Sequence, residues 1–60
     1  MPKIIIKIDT GNAAFEDNPE YEVSRILQGV AESFMADGLR YLTLHDYNGN
    51  NVGQVIIEEK

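Results

Sequence analysis

Asn18, Pro19 and Glu20 open a segment in which Val23, Ile26, Leu27, Val30, Ala31 and Phe34 recur at helical spacing. That one feature constrains the fold more than any other. An asparagine side-chain carbonyl accepts a hydrogen bond from an orphan helix amide, and a proline at the first helical position has its φ angle already set. Glu20 and Glu22 follow where the helix dipole favours anions. The spacing predicts one amphipathic helix from Pro19 to Asp37, ended by Gly38 in the left-handed conformation that glycine adopts without a Cβ penalty.

The rest of the chain has the two-residue period of strands. Lys3 to Asp9 contains four isoleucines in five positions, and β-branched side chains suit a pleated backbone. Ile4, Ile6 and Ile8 share one face, while Ile5 points the other way between Lys3 and Lys7. Thr10-Gly11-Asn12 carries turn chemistry, and the following loop places Phe15 as a plug for one end of the core. Leu39 to Tyr47 alternates, with Leu42 and Leu44 on one face and Tyr41, Thr43, His45 and Tyr47 on the other. Asn48-Gly49 signals a type I′ hairpin, in which both central residues need positive φ. A two-residue loop pairs Leu44 with Gly53 and a four-residue loop pairs it with Val55, but either register puts Val55 and Ile57 on the Leu42/Leu44 face.

The expected fold is therefore α+β in the order β-α-β-β, a single domain over residues 1–60 with one helix packed on one face of a three-stranded antiparallel sheet. Val55-Ile56-Ile57 is apolar on both faces, which favours the third strand as the central one.

Sixty residues bury only about 60% of the surface that the unfolded chain exposes, so a chain of this size gains from self-association. With no cysteine and one histidine, disulfides are excluded and a four-ligand zinc site is not expected. Ten acidic against five basic residues give a net charge of −5, which repels nucleic-acid phosphate and favours basic protein partners. No apolar run approaches the roughly 18 residues of a membrane span, and the amino-terminal apolar stretch is too short for a signal peptide, so a cytoplasmic protein without membrane contact is expected.

Few residues suggest chemistry. Asp46, Asn48 and Asn50 resemble the first ligands of a calcium loop, but Asn51 stands where glycine belongs and Ile57 where a bidentate Glu belongs, so no metal or other cofactor is expected. His45 has no Ser, Cys or second His to work with, and Asp46 points to the opposite sheet face, so no catalytic residue is assigned. Two surfaces remain. The sheet face away from the helix carries Ile5, Tyr41, Thr43, His45, Tyr47, Val52 and Ile56, a patch suited to a protein partner or a homodimer. Glu16, Asp17, Glu20 and Glu22 form an acidic patch around the helix start that could block a basic surface by imitating nucleic acid. Gly29, with Ser33 and Ala36 beside it, forms a small-residue strip on the helix.

The segment Thr10 to Pro19, with Glu22-Val23-Ser24-Arg25-Ile26-Leu27, Asn48-Gly49-Asn50 and Val52-Gly53, resembles short phage- and prophage-encoded proteins of unknown function. That resemblance implies a phage or mobile-element origin and the host cytoplasm, and carries over no functional residue. Met1-Pro2 ahead of an Ile-rich strand is also similar to the tautomerase superfamily, which would imply Pro2 as a general base. Gly11 and Asn12 stand where that family has an arginine after its first strand. The expected function is a non-enzymatic interaction module that self-associates or binds a host protein through the open sheet face, ahead of the acidic inhibitor and of a Pro2 enzyme.

Overall fold

The computed structural model describes residues 2–58. Strand β1 (Lys3–Ile8) leads through a 3₁₀ turn (Ala13–Phe15) into helix α1 (Pro19–Asp37), followed by strands β2 (Leu42–His45) and β3 (Asn51–Glu58). The sheet order is β1-β3-β2 and both pairings are antiparallel. The fold is α+β, with the helix packed against the three-stranded sheet and β3 in the centre, where a strand apolar on both faces belongs.

Both helix ends follow from local chemistry. The Asn18 side-chain oxygen accepts the Tyr21 N–H at 3.0 Å, and the Gly38 N–H, at φ 86°, donates to the Phe34 carbonyl at 2.8 Å. Ile26 and Val30 bury against Phe15, Leu44, Val52 and Val55 to form the core. Each such side chain contributes roughly 1.5–3 kcal/mol relative to exposure. Phe15, 3% exposed, belongs to this cluster.

The hairpin departs from expectation at three places. First, β2 spans Leu42–His45 and not Leu39 to Tyr47. The Tyr41 hydroxyl donates to the Ile57 carbonyl at 2.7 Å, satisfying by side chain a β3 acceptor that lies beyond the last paired residue of β2. Second, the turn begins at Asp46: Gly49 N–H donates to the Asp46 carbonyl, and Asp46 N–H to the Asn50 carbonyl, each at 3.0 Å. Gly49 has φ 87°, while among the described residues no non-glycine has positive φ. This is a three-residue loop closed by a left-handed glycine, not a type I′ turn on Asn48-Gly49. The Asp46 carboxylate selects it by accepting the Asn48 and Asn50 N–H groups, each at 2.9 Å.

Third, the register slips. Leu44 pairs with Gly53 but His45 pairs with Asn51, so an extra β3 residue is accommodated and the alternation breaks. Val52 turns into the core, 5% exposed, which corrects its expected place on the open face. Gly53, where the slip begins, has no room for a side chain on its β1 side: a Cβ there would lie 1.8 Å from the Lys7 carbonyl oxygen.

The helix is set towards β2. Arg25, Ile26, Gly29 and Ser33 line a shallow groove with Leu42 and Leu44, and Arg25 Nη2 reaches the His45 carbonyl at 3.4 Å. The opposite flank of α1, with Val23, Leu27 and Phe34, therefore lies towards β1. Leu27 is 40% exposed and Ala31 is exposed, so the buried stripe is narrower than the sequence pattern predicts.

Candidate interaction site

Three groups of residues can be weighed as a site: a polar cluster at the hairpin, the open sheet face, and the border formed by β1.

The polar cluster joins α1 to the hairpin. Glu22, 3% exposed, accepts Arg25 Nε at 2.9 Å and Arg25 Nη2 at 2.7 Å, and its second oxygen also accepts the Tyr47 N–H at 2.9 Å. The Arg25 guanidinium, seconded by the Tyr47 amide, holds the Glu22 carboxyl below its ordinary 4.5, against the opposing effects of burial and of Asp46. Asp46, 5% exposed, accepts from the Asn48 and Asn50 backbones and, through Oδ2, from Asn12 Nδ2 at 2.9 Å and Asn50 Nδ2 at 3.2 Å. Burial pushes Asp46 up, but the donors of Asn50, Asn48 and Asn12 together outweigh it and leave the carboxyl below its ordinary 3.8.

All four carboxylate oxygens of this cluster are occupied by N–H donors. The arrangement is a clamp. Donors surround Asp46 where a cation would need further oxygens, and among the described residues no group of three His, Cys, Asp or Glu side chains could hold a metal ion. Glu22 is thereby withdrawn from the acidic patch expected at the helix start, because its charge is paired and buried. Glu16, Asp17 and Glu20 remain exposed. The signal for Glu22 was present in the sequence, since it lies four residues before Ile26 on the buried stripe with Arg25 three residues on. Asn12 and Asp46 are 34 residues apart, and nothing local announces their bond.

The open sheet face is only partly assembled as expected. Ile5 and Ile56 are paired neighbours at its centre and half-buried, ringed by exposed Lys3, Lys7, Gln54 and Glu58. Thr43 pairs with Gln54, and His45 is exposed at the end of β2. Tyr41 precedes β2 with its hydroxyl engaged, Tyr47 belongs to the turn, and Val52 is in the core. The seven residues do not make one continuous apolar patch.

The border of the sheet at β1 was not anticipated. Ile4 pairs with Ile57 and Ile6 with Val55, and paired residues share a face, so both isoleucines lie on the helix side. Val55 and Ile57 are buried, yet Ile4 and Ile6 are each 40% exposed, because α1 is displaced towards β2. Leu27, equally exposed, lies on the α1 flank turned to them. Sequence patterning finds the inner face of a strand but not how far a single helix can cover it.

Pro2 is exposed just before β1, and Met1 lies outside the described residues. Arg40 pairs with Asp37 at 3.3 Å and Arg25 with Glu22. Among the described residues no helix is long and apolar enough to cross a membrane. No family model, no curated protein and no solved structure matches the chain.

Proposed function

We propose that this chain is a non-enzymatic protein-interaction module that binds through the β1 border of its sheet. The observation that carries this function is the exposure of Ile4 and Ile6 on the face the helix should cover. Core-type side chains left bare beside an edge strand combine apolar area with unpaired backbone donors and acceptors, the two ingredients of strand-addition binding. Ile5, on the other face of the same strand, extends the surface around the border. A phage or mobile-element setting, as the resemblance implies, would make a host protein one class of partner. The acidic-inhibitor alternative is weakened by the loss of Glu22 from its patch.

A photo-crosslinking amino acid placed at Ile6 in the producing cell tests this function, with the same group at Glu32 on the exposed back of α1 as control. Protein adducts at position 6 in excess of those at position 32 are expected. Equal labelling at the two positions would sink the proposal.

A further inference from the structure

We propose that the occupant of this border is a second copy of the chain, joined by antiparallel pairing of the two β1 strands about a two-fold axis at Ile6. The proposal rests on the β1-border function and names its partner.

The backbone sets which registers are open. Asp9 N–H donates to the Val52 carbonyl at 2.7 Å, and the Lys7 carbonyl faces Gly53 across the strand pair. Peptide groups alternate in direction along a strand, so the odd-numbered residues of β1 address β3, and Ile4, Ile6 and Ile8 point their N–H and C=O groups outward. A two-fold, self-complementary pairing must match these outward groups with their own copies.

Charge and strand length then select one register. Centring on Ile4 would bring Pro2, which has no N–H, into a hydrogen-bonded position opposite Ile6, and centring on Ile8 would set Ile4 opposite Asn12, beyond the end of the strand. Centring the pairing on Ile5 would set Lys3 directly opposite Lys7 of the second copy, twice over. Moving it to centre on Lys7 would set Lys7 against itself. Centring on Ile6 sets Lys3 opposite Asp9 of the second copy on both sides of the axis, and Lys7 opposite Ile5. Directly opposed unlike charges stabilise an antiparallel pair and like charges destabilise it. Asp9 is exposed, with Oδ1 accepting the Gly11 N–H at 2.9 Å, which leaves Oδ2 for the lysine. In the same register Ile6 meets Ile6 and Ile4 meets Ile8 on the helix side, so the isoleucines left bare in one copy become cross-strand neighbours in two. The product is a six-stranded sheet in which both β1 edges are paired.

Sedimentation equilibrium with charge reversal decides it. The wild-type chain should form a dimer, Lys3→Glu and Asp9→Lys should each weaken it about tenfold by turning two attractive pairs into repulsive ones, and the Lys3→Glu/Asp9→Lys double variant should regain most of the loss. Because Asp9→Lys also removes the acceptor for Gly11, Ile6→Cys supplies an independent measurement in a chain that has no cysteine of its own. Residues opposed at a hydrogen-bonded pair have Cα atoms about 5.5 Å apart, within disulfide range. Ile6→Cys should oxidise to a covalent dimer at low micromolar concentration while Thr43→Cys, on the far edge, does not. A strict monomer at high micromolar concentration, or a dimer indifferent to Lys3→Glu, would overturn the self-pairing. If position 6 still crosslinked to another protein in the first case, the border function would survive its partner's rejection.

Discussion

The two edges of this sheet are finished differently. At β2 the strand is four residues long, interrupted by a register slip, approached by Arg25 at the His45 carbonyl and closed by the Tyr41 hydroxyl on β3. At β1 six residues pair with β3 without a break in register, and among the described residues no strand lies on their outer side. Short, irregular or side-chain-capped edges resist pairing with another chain, whereas a regular apolar edge invites it. The contrast teaches that one helix cannot serve three strands equally. By docking on the hairpin through Glu22 and Arg25, α1 leaves the first strand with its inner face half bare.

The largest loss should come at the seam between β1 and β3. Gly53→Ala should destabilise the chain by about 3 kcal/mol or more, since its Cβ cannot coexist with the Lys7 carbonyl without moving one strand. Urea denaturation measures this, and a loss under 1 kcal/mol would mean that β1 is not held as described. Next comes the pair of neighbouring helix residues. Ile26→Ala, in the core, should cost roughly 2–4 kcal/mol, and Leu27→Ala, on the flank towards β1, about 1 kcal/mol or less. Equal losses would show that Leu27 is covered after all.

Acid should act on the β2 side. Glu22 and Asp46 have folded-state pKa values lowered from 4.5 and 3.8, so the stability they contribute is fully present above those values and is lost as pH falls through the folded ones. The urea midpoint should drop below about pH 4.5, Tyr47 and Asn50 amides should exchange faster before those of β1, and Glu22→Gln should flatten the slope. The smallest effect is a gain. A Cβ on Gly29 meets nothing within 4 Å, so Gly29→Ala should stabilise the helix by up to about 1 kcal/mol and leave β1-mediated association unchanged. A loss of association would move the contact to the groove between α1 and β2.

What the sequence made legible was whatever rests on local rules. The helix runs from Pro19 to Asp37 with Asn18 and Gly38 at its ends because caps, dipole and period agree there. The central place of β3 followed from apolar residues on both its faces. The misplacement of Val52 has a different origin, since strict alternation holds only until a register slips, and Gly53 was the available sign that it might. The turn was displaced towards Asp46 because a side chain, not the backbone preference of Asn48-Gly49, chose its type. The β1 border was illegible for a geometric reason: the lateral position of α1 is set by the Glu22, Arg25 and Tyr47 contacts, which join residues up to 25 apart.

The central strand is also the last of the three. Lys3 pairs with Glu58 and Ile8 with Gly53, so during synthesis β1 emerges well ahead of β3, the strand it pairs with. At roughly 5–20 residues per second that interval lasts several seconds. Throughout it, an isoleucine-rich strand is without the strand it pairs with in the finished fold. Lys3 and Lys7 then act as gatekeepers, setting charge on either side of Ile4-Ile5-Ile6 so that disordered stacking of many copies is repelled while the isoleucines are exposed. Replacing both with uncharged residues would be felt first in the yield of soluble protein, before any change in the stability of the finished fold.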